Sequence, residues 1–365
     1  MTSKNLPYYI GFSHHLGIGP MKFAALLSHF GDPKAAYTAP QDKLREIIGE
    51  DAGRRFVDFR DGFDSEKKLD EIQKKGIIII TQEDPLYPDK LRHIPDPPIC
   101  LYIKGNIDTL KKFSDGKTLA IGIVGTRKPT SYGQQIARTF ARDLASVGVV
   151  VVSGMALGID TLAHQGVLSV GGTTIAILGC GVDIIYPPVN KKLYEEIQID
   201  GCILSEFPPG QTVHPGLFVA RNRLISAFSQ GVVIVEGTDK SGALITARYA
   251  AQQGRDVFAP PAPITSVQSA APNILLKEGA TLVTSAGDIL SEYNINIVSR
   301  QKARALDGLD AESTAIVGAL SSEPCLADDL ADTLGVSVSY LANKLSLLEI
   351  EGVIEKNSEG KFQLK

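Results

Sequence analysis

Three short stretches of the sequence combine glycine, hydroxyl and positively charged residues directly after apolar runs of strand character. They are Gly125, Thr126 and Arg127; Ser153 and Gly154; and Lys240, Ser241 and Gly242. Backbone N–H groups, hydroxyls and cations are the groups with which proteins bind phosphate oxygens. In an open parallel sheet, ligands bind outside the carboxyl ends of the strands. We therefore expect these residues to form a phosphate-binding site.

A fourth stretch, LFVARNRLI at residues 217–225, adds an aromatic ring and two arginines. Its polar and aromatic members are Phe218, Arg221, Asn222 and Arg223. Arginine next to an aromatic ring favours single-stranded nucleic acid, because the cation neutralises the backbone and the ring stacks on a base. The alternative is that the arginines begin a helix and form ion pairs with Glu206 or Glu236 inside the domain.

The first of these turns lies in IGIVGTRKPTSYG, residues 121–133. A dinucleotide-binding protein would carry the pattern Gly-x-Gly-x-x-Gly at this turn, whereas this chain has Gly125 followed by Thr126 and Arg127.

Asp160 and His164 would share one helix face, which could serve acid–base chemistry or a metal. We expect structural roles, because the helix dipole favours an aspartate in the first turn and no third ligand or nucleophile accompanies them. Glu236, at the end of a predicted strand, also lacks a catalytic partner. We expect no enzyme activity, metal or cofactor.

Strands that alternate with helices must position these residues. Continuous apolar runs suit parallel strands covered on both faces, and they occur at residues 76–80, 120–124, 149–152, 174–178, 231–237 and 256–260. Between two of them, Ile136, Phe140 and Leu144 recur at every fourth position, as on the buried face of a helix. The predicted fold class is α/β, with a doubly wound and mostly parallel sheet.

The chain is predicted to have three domains and one linker. They are a helical domain of the helix-hairpin-helix type (1–70), an α/β domain that contains the sheet (71–293), a linker (294–309) and a winged-helix domain (310–365). In the first, the turn at Gly17 and Gly19 could offer N–H groups to a DNA phosphate or could simply join two helices of a compact cap. In the last, two helices precede a wing around Asn357, Ser358 and Gly360.

Charge and composition limit the classes of protein further. The net charge is −4, and residues 310–365 alone hold ten acidic and four basic side chains, a net of −6. An acidic winged helix argues for a protein contact or an accessory to dimerisation rather than for duplex binding. The four cysteines are scattered, as in a reducing compartment, and no segment has the pattern of a signal peptide or membrane span. We expect a cytoplasmic protein that does not contact the membrane.

Six stretches together resemble the DprA/Smf family, the DNA-processing protein A of natural transformation. They are IGIVGTRKPTSYG, VVVSGMALGIDTLAHQG, GCGVDIIYPPVN, LSEFPPG, FVARNRLISAFS and VVIVEGTDKSGALITA. The resemblance is dense over residues 80–290 and looser at both ends. Several long motifs in one order make it more specific than a single glycine-rich turn.

The resemblance implies that residues 1–70 are a SAM-like or helix-hairpin-helix domain and that residues 71–293 are an extended Rossmann-like DNA-binding domain with a doubly wound, mostly parallel sheet. It also implies a single-stranded DNA-binding recombination mediator that protects incoming DNA, forms a homodimer through its Rossmann-like domain and loads the RecA recombinase. It also implies DNA contacts at Arg127, at Ser153 with Gly154, at Phe218, Arg221, Asn222 and Arg223, and at Lys240, Ser241 and Gly242. The chain departs from the family pattern at Val219, at His214 with Pro215, and at Ala262 and Pro272. The alternative hypothesis is a Rossmann-like enzyme or sensor that binds or cleaves nucleotides.

Overall fold

The computed structural model describes residues 4–114, 118–295, 310–320, 324–350, 353–357 and 360–364. The chain divides into two compact units, Met1–Ala286 and Gly287–Lys365. The region predicted as a helical domain (1–70) and residues 71–286 of the region predicted as a Rossmann-like domain lie in the first unit, while residues 287–293 belong to the second. Of the predicted linker, residues 296–309 fall outside the described residues, so its bounds stay a prediction.

Six helices precede the sheet: α1 (Leu6–His14), α2 (Pro20–Phe30), α3 (Pro33–Thr38), α4 (Gln41–Ile48), α5 (Glu50–Asp61) and α6 (Ser65–Lys74). Gly31 ends α2 with φ 81°, and Asp32 then begins α3 by accepting hydrogen bonds from the backbone N–H groups of Lys34 and Ala35. Phe12 and Phe56 stack in the core of these helices, with ring centres 4.9 Å apart. The predicted Gly17–Gly19 segment joins α1 to α2.

Nine strands form one sheet: β1 (Ile78–Thr81), β2 (Cys100–Gly105), β3 (Ala120–Val124), β4 (Val150–Ser153), β5 (Thr174–Ile177), β6 (Cys202–Ser205), β7 (Gly231–Ile234), β8 (Asp256–Ala259) and β9 (Thr281–Leu282). Their order is β1-β2-β6-β5-β4-β3-β7-β8-β9. The pairs from β6 to β9 are parallel, whereas β1 with β2 and β2 with β6 are antiparallel. The mostly parallel sheet is thus confirmed, with an antiparallel edge that the apolar run at 76–80 did not indicate.

Helices lie between and after the strands of the sheet: α7 (Asp89–Arg92), α8 (Asp108–Ser114), α9 (Ser131–Ser146), α10 (Ile159–Leu168), α11 (Lys191–Asp200), α12 (Pro215–Phe228), α13 (Gly242–Gln252) and α14 (Ala270–Lys277). A further helix, α15 (Ala286–Glu292), begins at the last residue of the first unit, and the rest of it belongs to the second. Alternate strand residues face opposite sides. In β5, Ile175 and Ile177 pack in the core with α12 and α13, while Ala176 packs in the core that contains the N-terminal helices. Burial on both faces is the physical reason for the uninterrupted apolar runs.

The sheet reverses its direction of winding between β3 and β7. From β3 the chain proceeds through β4 to β5 on one side, and β7, β8 and β9 lie on the other side. At such a switch point the two neighbouring strand-end loops diverge and leave a crevice, which is the usual ligand site of doubly wound sheets. The loop at Gly125–Arg127 follows β3, and the loop that contains Lys240 and Ser241 follows β7.

The second unit contains α16 (Ala311–Leu320), α17 (Ala327–Leu334), α18 (Val338–Ile350) and the antiparallel pair β10 (Ile354–Lys356) and β11 (Phe362–Leu364). Leu330, Leu341, Leu345 and Leu348 form its core. The turn of the pair passes through Asn357 and Gly360, as predicted for the wing, while Ser358 lies outside the described residues. No helix in the described ranges of the chain is long and apolar enough to cross a membrane.

Candidate nucleic-acid interface

A pocket of about 500 Å³ opens at the switch point, and we call it the switch-point groove. It is lined by Val124, Gly125, Thr126, Arg127, Ala156, Asp160, Tyr186, Val213, His214, Pro215, Phe218, Val219, Arg221, Asn222, Ile225, Thr238, Ser241, Gly242, Ala243 and Thr246. The loops after β3 and β7, helix α12 and the first turns of α13 supply most of this lining. Three of the four stretches singled out in the sequence therefore meet in one cavity.

The loop after β3 is fixed at both ends by backbone hydrogen bonds. The Thr126 N–H donates to the Glu236 carbonyl at 2.7 Å, and the Thr126 carbonyl accepts from the Ile159 N–H at 3.2 Å. These bonds hold Arg127 over the groove, where its guanidinium carbon lies 5.4 Å from the centre of the Phe218 ring. The cation and the ring predicted from separate stretches are thus direct neighbours.

The amino end of α9, the first helix after β3, is already occupied by a carboxylate of the chain. Glu236 accepts hydrogen bonds from the Thr130 N–H at 2.8 Å and from the Thr130 hydroxyl at 2.6 Å. A side chain at Gly133 would collide with the same carboxylate, which explains the glycine. In a dinucleotide-binding fold this helix end receives the pyrophosphate. Here Glu236 would repel an anion from that position.

The amino end of α13 faces the groove instead. Ser241 caps the helix by accepting from the Ala243 N–H at 3.2 Å, and Ser241, Gly242 and Thr246 all line the cavity. Asn222 of α12 donates its side-chain N–H to the Gly242 carbonyl at 3.3 Å, which ties the two helices together. Helix amino ends carry partial positive charge and attract anions. Of these two helix ends, the one that is open to the groove is therefore that of α13.

Arg221 is a buried cation that lines the groove. Its side chain is 3% exposed, and Nη1 donates to the carbonyls of Gly154, at 2.7 Å, and of Ile177. No acceptor for Nη2 lies within hydrogen-bond distance in the described part of the chain. Burial lowers the pKa of Arg221, and the nearby Asp160 carboxylate opposes that shift. A guanidinium in this position can offer Nη2 to an anion in the groove.

Arg223 forms ion pairs inside the domain, which was the alternative to a nucleic-acid contact for the arginines of this stretch. Its side chain is 4% exposed; Nη2 lies 2.7 Å from Glu206, and Nε lies 2.6 Å from Asp96. Arg223 does not line the groove. Because Glu206 directly follows β6 and Asp96 lies in the segment after α7, these ion pairs hold α12 against both segments. This geometry fits a structural role better than a contact with a ligand.

Three other predicted site residues also lie outside the lining of the groove. Ser153 is fully buried and donates its hydroxyl to the Ile123 carbonyl at 2.6 Å. Gly154 lies under the Arg221 guanidinium, with which any side chain at that position would collide. Lys240 is exposed on the loop before α13, next to lining residues but not among them. Ser153 and Gly154 thus support the site, and Lys240 lies at its margin.

Asp160 and His164 have separate structural partners. Asp160 accepts from the N–H groups of Gly154, at 3.1 Å, and Ala156, at 3.4 Å, and burial raises its pKa to about 6. The buried His164 ring pairs through Nδ1 with the Thr174 hydroxyl at 2.8 Å, and burial lowers its pKa to about 3. No group of three His, Cys, Asp or Glu side chains suited to a metal occurs among the described residues.

Several lining residues were not predicted from the sequence, and Tyr186 is the most informative of them. Its ring centre lies 5.5 Å from that of Phe218, and its side chain is 37% exposed. Tyr186 belongs to the loop between β5 and α11, far in sequence from α12. The one available signal was an aromatic residue in a strand-end loop, within the stretch DIIYPP.

Comparison with known proteins agrees with this architecture. Residues 78–294 match the family described as DNA recombination-mediator protein A, and residues 300–360 match the DprA winged helix domain. The protein named Smf of Synechocystis is 32% identical in an alignment that covers 100% of both chains. The predicted winged-helix end is therefore confirmed.

Two solved structures resemble the chain at more than 30% identity. The X-ray structure of DNA processing protein A from Streptococcus pneumoniae has a TM-score of 0.70 and 34% identity, covering 80% of this chain and 99% of that one. A structure of DNA processing protein A from Helicobacter pylori, which concerns the single-stranded DNA binding mode of that protein, has a TM-score of 0.53 and 35% identity. The match covers 59% of this chain and 95% of that one. Together with the family match over the whole sheet, these likenesses establish that the chain belongs to the DNA recombination-mediator protein A, or DprA/Smf, family.

Proposed function

We propose that the chain binds single-stranded DNA in the switch-point groove and processes DNA during natural transformation. The observation that carries this proposal is Arg221, a cation 3% exposed whose Nη2 has no acceptor among the described residues and which lines the same cavity as Phe218. Asp160 acts on this charge without forming an ion pair with it among the described contacts, and a buried charge that lacks such a direct partner is costly unless an anionic ligand completes it. The H. pylori relative, whose structure concerns single-stranded DNA binding, supports DNA as that ligand.

In this proposal the lining residues have two kinds of role. Phosphates contact the polar lining and Lys240 at its margin, and a base stacks on Phe218. The phosphate contacts are Gly125, Thr126, Arg127, Arg221, Asn222, Ser241 and Gly242. Ser153, Gly154 and Arg223 support these residues from behind. Phosphate contacts carry no sequence information and stacking tolerates every base, so the binding has little sequence preference.

The wider function follows from membership of the family, and each part of it is a proposal. We infer that the protein acts as a recombination mediator without enzyme activity, protects incoming DNA and loads RecA on it in the cytoplasm, and works as a homodimer through its Rossmann-like domain. The proposed domains are the helical domain (1–70), the Rossmann-like domain (71–293) and the winged helix (310–365), with a linker at 294–309. Either a protein contact or an accessory role in dimerisation suits the acidic winged helix better than duplex binding.

The competing hypothesis, a nucleotide-binding or nucleotide-cleaving enzyme, loses support at Glu236. An enzyme of that class needs an acid–base group free to reach its substrate. Both carboxylate oxygens of Glu236 instead accept hydrogen bonds from Thr130, and the side chain is 1% exposed. Hydrolysis of a nucleoside monophosphate by the purified protein would restore this hypothesis.

The test compares the binding of single-stranded and duplex oligonucleotides by the full chain and by Arg127→Ala over a series of salt concentrations. Loss of one phosphate contact should lower the salt slope for single strands by about 0.7. The matched control is Arg142→Ala on α9, since Arg142 is 52% exposed and pairs with Asp143. Equal affinity and equal salt slope in Arg127→Ala and wild type would contradict the proposed site, and preference for duplex would contradict the proposed ligand.

A further inference from the structure

Phe218, the ring that sequence alone assigns to base stacking, is the less accessible of two neighbouring aromatic rings in the groove. Arg127 lies over it at 5.4 Å, and its ring edge packs against the backbone of Gly179. The second ring, Tyr186, is tilted by 37° to Phe218 and is the more exposed side chain of the two. A base that enters the groove therefore has Tyr186 available to it without first displacing Arg127.

The loop that carries Tyr186 is anchored on both sides of the ring. Before it, Asp183 accepts from the Gly210 N–H at 2.8 Å and from Lys75 at 2.9 Å. After it, the Asn190 side-chain N–H groups donate to the Met155 carbonyl at 2.9 Å and to the Thr161 hydroxyl at 2.8 Å. The exposed ring is thus held by a fixed backbone, so binding does not have to order the loop first.

Among the described residues, the ring contact with Phe218 is the one interaction given for the Tyr186 side chain. These contacts therefore reveal no role for the side chain in holding the fold together. No hydrogen bond of its hydroxyl is found among the described residues, so no hydrogen bond to that part of the chain holds the exposed ring in place. Beside it, Val213 is 39% and Val219 is 42% exposed, and both line the groove. Exposed apolar side chains that cluster at one site usually cover a ligand or partner. This part of the lining suits flat, weakly polar groups and not phosphates.

We propose that Tyr186 is a second base-stacking residue, so that the groove binds two bases of one strand, one on Phe218 and one on Tyr186, while the polar lining binds the phosphates. This inference rests on the proposed single-stranded DNA binding and adds a specific residue to it. Phe218 and Tyr186 come from different loops, and their rings lie 5.5 Å apart. The strand would contact both before it continues along the groove.

The experiment measures the affinity of the full-length Tyr186→Ala and Tyr186→Phe variants for an oligothymidylate and for the same backbone with abasic sites. Tyr186→Ala should weaken oligothymidylate binding by about 5- to 150-fold, with the salt slope unchanged, because one stacked base is lost and no phosphate contact. Tyr186→Phe should bind like wild type. On the abasic strand all three proteins should bind equally, a result that a merely structural role would not produce. Ile199→Ala, a truncation of a residue 72% exposed on α11, is the matched control.

A second measurement keeps the proposal testable if Tyr186→Ala fails to fold. The chain contains no tryptophan, so Tyr186→Trp introduces a single fluorophore at the site. Stacking should quench its emission when oligothymidylate binds and leave it unchanged when the abasic strand binds. Wild-type affinity of Tyr186→Ala for oligothymidylate, an equal loss on both strands, or unquenched Tyr186→Trp would overturn this inference. Failure of the wild-type chain to bind any single strand would instead overturn the proposed function itself.

Discussion

The guanidinium carbon of Arg127 lies 5.4 Å from the centre of the Phe218 ring, so the first cation of the β3 loop and the aromatic residue of α12 form one unit. In this geometry the face of the ring attracts the cation. The contact holds Arg127 at the groove, where its charge can meet a phosphate. Arginine and ring are therefore expected to act together in binding.

Phe218→Ala should weaken binding of single-stranded DNA by about 1–3 kcal/mol, or about 5- to 150-fold, because one stacked base loses its platform. The salt slope should stay close to that of wild type, since the ring neutralises no phosphate. Fluorescence anisotropy with a labelled oligonucleotide at several salt concentrations measures both quantities. A lower salt slope without a loss of affinity would show that Phe218 does not act as a base-stacking residue.

The losses caused by Arg127→Ala and Phe218→Ala should not add. Each substitution also removes the partner that orients the other side chain, so the double variant should lose less than the sum of the two single losses. We expect a coupling of about 0.5–1 kcal/mol, the size of an exposed cation–π contact. A double-mutant cycle of the four proteins measures it. Strict additivity would show that the contact has no part in binding.

Arg223 should affect stability and not the electrostatics of binding. Arg223→Ala removes the partner of Glu206, whose side chain is 8% exposed, and leaves that carboxylate buried and unpaired. Such a loss destabilises the folded state by about 3–5 kcal/mol. Urea unfolding should record this decrease, while the salt slope of the folded variant should match that of wild type. A slope lower by about 0.7 would instead mean that Arg223 contacts a phosphate.

The sequence allowed the position of the groove to be predicted better than the direction of its side chains. Apolar strands and the turns after them indicate a doubly wound sheet, and that topology brings Gly125 and Ser241 to one crevice. The burial of Ser153 could not be predicted from its local sequence, because it depends on the packing that turns its hydroxyl toward the Ile123 carbonyl. The pairing of Arg223 with Asp96 joins residues 127 positions apart, and no local pattern indicates it. Tyr186 was missed for the same reason, since its nearness to Phe218 arises only when two loops meet.

Asp160 should make the protein less stable as the pH rises from about 4 to about 6. Burial raises the pKa of this carboxyl from 3.8 to about 6, so in that window the folded chain keeps a proton that the unfolded chain has released. Stability then falls with rising pH. Asp160→Asn, whose amide oxygen can still accept from Gly154, lacks this dependence. Relative to wild type, its unfolding free energy should increase across the window by up to about 3 kcal/mol. A difference that stays constant with pH would contradict the assignment.

The winged helix should contribute little to DNA binding, because the described lysine of α18 is already paired. Lys344 lies 2.6 Å from Asp310 and 3.3 Å from Glu312, within a region that carries a net charge of −6. Lys344→Ala should leave the affinity for both single-stranded and duplex DNA unchanged. A lysine on a duplex phosphate would behave differently, because its loss would lower the salt slope by about 0.9. Filter binding with duplex DNA at several salt concentrations distinguishes the two outcomes, and a reduced slope would make this helix a DNA-contacting element.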